Sequence, residues 1–346
     1  MRPTTIRLCA LVLLLLATGC SRGNDDAATH DNGVAAPAPP YTPGGGVVEP
    51  DDPQNRPPSA TLADTTAAAA MLPRALQWLR AHQDAVGAFT TAPEPRDPVA
   101  TTTVGLAILA MMQDRHSHTS GTYSVSVKGG LRWLRACQAP GVGSFSDDPR
   151  AHAIATLAMC EDYCLTGATV LSTTAQFGVQ HMFTSCWNST TGRWQPERDL
   201  AWFAMVLVSA RRCGFGTTTT GSPGDALIAQ ARAGLGRDAA SDATALAVFA
   251  LMVAPGADGG GMSAASERVM AERDTIDPLT RYLATFGMHR LGAAGWATWV
   301  QSCSAMLQAT ELADPATKLP QGTWEAGPTG AMTTALNALA LGEMLR

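Results

Sequence analysis

Asp199, Asp242 and Asp277 each stand at the opening of a long apolar segment, and His152 opens another. Two carboxylates facing each other beside an aromatic ring can cleave a glycosidic bond when about 5–9.5 Å separates them. An imidazole in the same place can serve as a general base. The competing use of all three acids is plainer: Asp is a preferred helix N-cap, where its oxygen accepts from backbone N–H groups. His152 has a plain use too, as a hydrogen-bonded residue of the core or rim. Two further spacings hold metal-ligand residue types, His116-Ser117-His118 and Asp162-Tyr163-Cys164. No carboxylate or cysteine cluster lies near the histidine pair in sequence, so local hydrogen bonding is the expected role and no metal or cofactor is implied.

The segments that must position these residues come in two kinds. AAMLPRALQWLRAHQ, YSVSVKGGLRWLRACQ and TTAQFGVQHMFTSCW are amphipathic; Trp133, Leu134 and Cys137 form one stripe, with Arg132, Arg135 and Gln138 on other faces. PVATTTVGLAILAMM, AHAIATLAMCEDYC, RDLAWFAMVLVSARRC, SDATALAVFALMV, DPLTRYLATFGMHRLG and PTGAMTTALNALALGEML are apolar nearly all round, the pattern of helices buried on most sides. Asp148-Pro149, Asp199, Ser241-Asp242 and Asp277-Pro278 read as starts of inner helices. Between the two kinds runs a Gly-x-aromatic loop: Gly87-Ala88-Phe89, Gly143-Ser144-Phe145, Gly192-Arg193-Trp194 and Gly322-Thr323-Trp324. Glycine permits a left-handed turn after a helix, and the ring can seal the seam between hairpins.

Repeated about six times, this unit predicts an all-α fold of six helical hairpins. An open solenoid is one way to stack them. Closure into an (α/α)6 toroid, six inner helices within six outer ones, suits inner segments too apolar to line an open surface. Inner helices running one way would gather their N-termini at one mouth, with partial positive charge. The polar and aromatic residues expected there are Thr102, Thr103, His152, Asp199, Trp202, Asp242, Thr244, Asp277, Arg281, Tyr282 and Thr333. Of these His152, Asp199 and Asp277 are the candidate catalytic groups.

The 346-residue chain carries a net charge of −5, with 46% hydrophobic and 15% charged residues and no basic block. That excludes a nucleic-acid partner. Its first residues pair Arg2 and Arg7 with LCALVLLLLATGC, too short an apolar run to span a bilayer comfortably. Ala17-Thr18-Gly19-Cys20 resembles the lipobox of bacterial lipoproteins, with Ala17 where that pattern prefers Leu. The resemblance implies a signal peptide over residues 1–19, lipidation of Cys20 and a membrane partner through that lipid. The protein is then exported and anchored with its folded domain outside the cytoplasm, Ser21 favouring an outer membrane where the host has one. Residues 20–65, rich in Pro, Gly, Asp and Asn, read as a disordered tether with a reach of ~40 Å. Residues 66–346 form the toroid domain. Six cysteines lie in it, Cys137, Cys160, Cys164, Cys186, Cys213 and Cys303; an oxidising compartment permits bridges, and Cys160 and Cys164 are one helical turn apart.

The Gln-x(3–4)-Gly-x-aromatic corners resemble the repeats of the prenyltransferase and squalene–hopene cyclase superfamily, which shares an α/α toroid. VGLAILAMM followed by HSHTSGTYSVSVKGGLRWLRACQ and AHAIATLAMCEDYCLTG is similar to the bacterial lipoprotein-like "prenyltransferase and squalene oxidase repeat" proteins of planctomycete type, as is YLATFGMHRLGAAGWATWVQ with QGTWE and TTALNALAL. Class II cyclases of this superfamily use Asp-x-Asp-Asp, of which this chain has only Ser146-Asp147-Asp148-Pro149. Its protein prenyltransferases hold zinc through Asp-x-Cys at the N-terminal end of an inner helix, whereas Asp162-Tyr163-Cys164 lies at a C-terminal end. The scaffold with those motifs missing implies a non-catalytic module that binds a hydrophobic small molecule or an envelope protein. The alternatives are an enzyme on an isoprenoid or other lipid, needing a dry apolar cavity, and a carbohydrate-active enzyme using the mouth carboxylates.

Overall fold

A computed structural model describes residues 62–89, 94–113, 116–216, 222–253, 259–293, 295–314, 319–325 and 330–346. Cys20, the leader and most of the tether expected from the sequence lie outside the described residues. The described chain is mostly helical, as expected for an all-α fold. Helix α1 (Leu62–His82) opens slightly earlier than the change in composition suggests, extending back past the Ala67–Ala70 run, a strong helix former. It is followed by α2 (Pro98–Met112), α3 (Ser124–Cys137), α4 (Pro149–Thr166), α5 (Thr169–Cys186), α6 (Leu200–Arg212), α7 (Pro223–Gly234), α8 (Ala239–Met252), α9 (Gly259–Ala271), α10 (Pro278–Leu291), α11 (Trp296–Thr310) and α12 (Gly330–Met344). Two small antiparallel hairpins interrupt them, β1 (Trp187–Asn188) with β2 (Arg193–Trp194), and β3 (Leu312–Asp314) with β4 (Leu319–Thr323).

The even-numbered helices are the segments without a polar face, and they are buried almost throughout; α2 buries every residue from Val104 to Met112. Three of them open on Asp-Pro. Asp97 accepts from Ala100 N at 2.7 Å, Asp148 from Ala151 N at 2.9 Å, and Asp277 from Leu279 N at 2.9 Å and Thr280 N at 3.2 Å. Helix α8 departs from the expectation. Its cap is Asp238, which accepts from Ser241 N at 2.7 Å, so Ser241-Asp242 lies within the first turn.

Each even helix packs on the next: α2 on α4, α4 on α6, α6 on α8, α8 on α10, α10 on α12, and α12 on α2. Like ends meet like ends. Arg150 at the start of α4 bonds Asp199 at the start of α6, and Cys164 at the end of α4 is bridged to Cys213, just past α6. His289 and Glu343 join the ends of α10 and α12. These neighbours therefore run in the same direction.

The corners explain why the chain repeats Gln-x(3–4)-Gly-x-aromatic. Gln138 donates from Nε2 to the Gly143 carbonyl (3.1 Å) of its own corner and to the Thr174 carbonyl (2.9 Å) of α5. Gln83 does the same one unit earlier, to Gly87 O (3.1 Å) and to Ser126 O (2.9 Å) of α3. Gly143 and Gly87 both have positive φ, and a Cβ on either would lie 2.4 Å from Phe177 O or 2.2 Å from Gly129 O. Glycine is therefore required twice over, by the turn and by the approach of the next odd helix. Phe89 and Phe145 are buried beside these seams.

The third corner, β1–β2, inverts the donor: Gln230 of α7 bonds both the N–H and the carbonyl of Trp194, at 2.7 and 3.0 Å. The last, β3–β4, folds onto the first helix, where Gly322 abuts the Arg74 carbonyl and Trp78. A bidentate pair from Arg74 to Glu311 (2.9 and 2.6 Å) fastens the same junction.

Candidate functional site

The residues expected at the mouth lie at or near the starts of the even helices, and most are engaged in holding that end together. Asp199 is fully buried and accepts from Arg150 Nε at 2.6 Å. Burial raises its pKa against the opposing pull of Arg150. It precedes α6 without capping it, since its side chain turns to the neighbouring helix. Asp242, also fully buried, takes a bidentate pair from Arg268 of α9 (2.6 and 3.0 Å) and the Gly236 N–H at 2.8 Å. Asp277 is an exposed N-cap that also bonds Thr280 Oγ1 at 2.6 Å.

His152 is 1% exposed, and both ring nitrogens are in use. Nδ1 accepts from Phe145 N at 3.2 Å, so Nε2 carries the proton and donates to the Gly178 carbonyl at 3.0 Å. Burial and the neighbouring His181 lower its pKa to about 3. The imidazole is a joint between a corner and α5, with no lone pair left for catalysis. Trp202 is fully buried and stacks on Tyr282, ring centroids 5.9 Å apart. Burial raises the Tyr282 pKa. Arg281 donates to Asn337 Oδ1 (3.2 Å) and Ile276 O (3.0 Å), and burial lowers its pKa. Thr103 bonds the Val99 carbonyl, Thr333 bonds Glu325, Thr244 is buried and Thr102 half-buried. In the Ser146-Asp147-Asp148 run, Asp147 pairs with Arg96 while Asp148 caps α4.

The opposite end carries groups that the sequence reading did not select. Glu343, 3% exposed, faces His289 Nδ1 at 3.3 Å, Arg346 Nη1 at 2.9 Å and Arg290 Nε at 4.0 Å. Burial pushes its pKa up, but the His289 hydrogen bond and the two arginines outweigh burial and hold it below the usual range. A sequence signal for this cluster exists: a glutamate in the last turn of an apolar helix opposes the helix dipole and needs cations nearby.

At this end the two metal-like spacings meet, through one residue of each. Asp162, fully buried, accepts from the His118 N–H at 2.9 Å and pairs with His118 Nδ1. His116 turns elsewhere, its ring edge-on to Tyr123 at 5.2 Å. Among the described residues no three His, Cys, Asp or Glu side chains gather to hold a metal. A carboxylate orienting an imidazole is two-thirds of a nucleophilic triad, but Ser117 Oγ bonds Thr119 and Ser120 instead. The disulfide joins Cys164 to Cys213, so the Cys160–Cys164 spacing is not the bridge. Cys160 is a buried free thiol whose pKa burial raises.

Two open hollows among the described residues lie on the outside. One, of about 350 Å³, follows Thr184 to Ser189 and Gln195; the other, of about 250 Å³, lies between α9 and α11. No family model, curated protein or solved structure matches this chain.

Proposed function

We propose that the chain is an exported, lipid-anchored (α/α)6 toroid that works as a non-catalytic binding module of a bacterial cell envelope. Three contacts support closure of the six hairpins: α12 packs on α2, Gly322 rests on Arg74 and Trp78, and Arg74 clasps Glu311. The Trp202–Tyr282 stack joins α6 to α10, which α8 separates in the packing order, and so supports a filled centre over a container for lipid. The lipobox-like Cys20 and the tether supply the anchor, an outer membrane being favoured by Ser21.

The observation that carries the non-catalytic reading is the commitment of the mouth acids. Asp199 and Asp242 are neutralised by Arg150 and Arg268, Asp277 caps α10, and His152 has both nitrogens bonded. A pair of carboxylates acting on a sugar needs one free base and one protonated acid, and this end holds its buried acids in ion pairs. The test is native mass spectrometry of the Cys20→Ser domain purified from its own host, beside turnover assays of the double variant Asp199→Ala, Asp277→Ala. A turnover abolished in the double variant would overturn the reading, and a stoichiometric polyprenyl or lipid mass would replace the filled centre with a hydrophobic container. A lipid-free mass with unchanged assays supports it.

A further inference from the structure

Exposed arginines elsewhere on this chain are mostly paired: Arg96 with Asp147, Arg193 and Arg237 with Glu197, and Arg212 with Glu161. Helix α3 differs. It contains no acidic residue, and Lys128, Arg132 and Arg135 lie exposed on it without an ion pair among the described residues. With Val125 they stand at i, i+3, i+7 and i+10, one outward line of the helix. Val125 is 83% exposed. Val86 of the neighbouring corner, 56% exposed, joins this face where Arg132 Nη2 donates to the Ala85 carbonyl at 3.1 Å. Arg80 of α1 is a fourth exposed cation. Burial raises the Tyr123 pKa and Arg80 opposes it, which sets that guanidinium beside the residue preceding α3. Asp84, in the corner between them, already accepts from the N–H groups of Val86, Gly87 and Ala88.

In a chain of net charge −5 this face is locally positive. Cations interleaved with bare aliphatic side chains match a surface that offers negative headgroups above hydrocarbon. An acidic protein surface answers the cations, whereas a bilayer answers the cations and the valines together. The wall beyond brings no opposing charge. Helix α5 holds no Asp, Glu, Lys or Arg, and the exposed Val142 and Phe177 flank the contact of Gly143 with the Phe177 carbonyl. The proposed tether enters the fold at α1, the helix that carries Arg80. We propose that the outer face of α3, with Val86 and Arg80, is a docking surface for an anionic lipid membrane. The domain lies against the bilayer there, with Val125 and Val86 at the boundary between headgroups and acyl chains. The proposal rests on the anchored reading for the membrane it meets, and adds which side of the domain meets it.

The probe is vesicles of equal parts phosphatidylglycerol and phosphatidylcholine, sedimented with the mature chain carrying Cys20→Ser so that no lipid anchor contributes. Binding should be absent from phosphatidylcholine alone and should fall as salt rises. Lys128→Gln, Arg132→Gln and Arg135→Gln together should weaken partitioning about 100-fold, about fivefold for each cation. Val125→Ser should weaken it about tenfold. Arg211→Gln, which removes an exposed cation at the end of α6, should leave it unchanged. All variants must keep the parent's melting temperature. Where the triple variant does not, Lys128→Gln with Arg135→Gln removes no hydrogen bond among the described residues and should weaken partitioning about 25-fold. No sedimentation, sedimentation independent of phosphatidylglycerol, or a variant of the face that binds like the parent overturns the membrane face. Capture by immobilised poly-glutamate without vesicle binding overturns it in favour of an acidic protein. A Cys20 that carries no lipid in protein taken from its own host overturns the anchored reading instead, whatever the vesicles show.

Discussion

Gln138 reaches Thr174 across the seam between α3 and α5, its Nε2 lying 2.9 Å from that carbonyl while also bonding Gly143. One side-chain amide thus satisfies two carbonyls on two different hairpins. Gln138→Met keeps the volume and removes both donors, leaving those acceptors short in a partly buried seam. We expect a loss of about 1–3 kcal/mol in urea unfolding. Gly143→Ala should cost at least as much, because its Cβ would lie 2.4 Å from Phe177 O at a positive φ. A variant Gln138→Met as stable as the parent would show that the seam is held by the rings alone.

His152 predicts an acid-sensitive fold. The unfolded chain takes up a proton on this side chain below about pH 6.5, whereas the folded chain resists until about 3. Between those values the unfolded state binds more protons, so stability falls as pH falls, by at most about 1.4 kcal/mol per unit. His152→Gln retains an acceptor for Phe145 N and a donor for Gly178 O without the titration. Unfolding free energies at pH 7 and pH 4 should differ more in the parent than in the variant. Equal slopes would mean that His152 is neutral in neither state or both.

The bridge from Cys164 to Cys213 ties the ends of α4 and α6 across a sequence separation of 49. Alkylation of the unreduced, denatured mature domain should label Cys137, Cys160, Cys186 and Cys303 but spare these two. The double variant Cys164→Ser, Cys213→Ser should lose about 2–4 kcal/mol by release of that loop in the unfolded state. Labelling of all six sites would remove the bridge from the account.

Glu343 should stabilise the fold through its charge. Its carboxyl is held below the usual range, so its stabilisation is present above the unfolded carboxylate pKa and is lost as pH falls through the folded value. Glu343→Gln keeps the shape and removes the charge facing His289, Arg290 and Arg346. A loss of about 1–3 kcal/mol at pH 7 is expected, shrinking at low pH where the parent is itself protonated. A loss independent of pH would assign Glu343 a packing role alone.

The legible parts of this fold are those written in local pattern. Segments apolar on every side became the buried even helices, and Asp148-Pro149 and Asp277-Pro278 cap where they were expected to. The Gly-x-aromatic corners were visible because turn and ring are adjacent in sequence. What escaped was long-range pairing. Nothing near Asp199 or Asp242 announces that Arg150 and Arg268 will neutralise them, and the plain N-cap expected at both is replaced by these bridges. His118 and Asp162 were each legible as fragments of metal motifs, but only packing of the α2–α3 loop on α4 joins them. Cys213 could not be chosen over Cys160 as the partner of Cys164 by spacing alone.

The proposed closure of the hairpins makes the last prediction. In an open stack the terminal units have one neighbour and fray first, so amide exchange should be fastest in α1 and α12. In a closed ring those helices have neighbours on both sides. The contacts of α12 with α2, and of Gly322 and Glu311 with α1, are the ones that differ between the two cases. Native-state exchange should therefore find α1 and α12 protected as strongly as α6. Glu311→Ala removes the carboxylate that Arg74 clasps and should speed exchange in α1 and around β4 before it affects α6. If α1 and α12 exchange well ahead of α6 in the parent, the hairpins stack without closing, and the toroid must be given up for a solenoid.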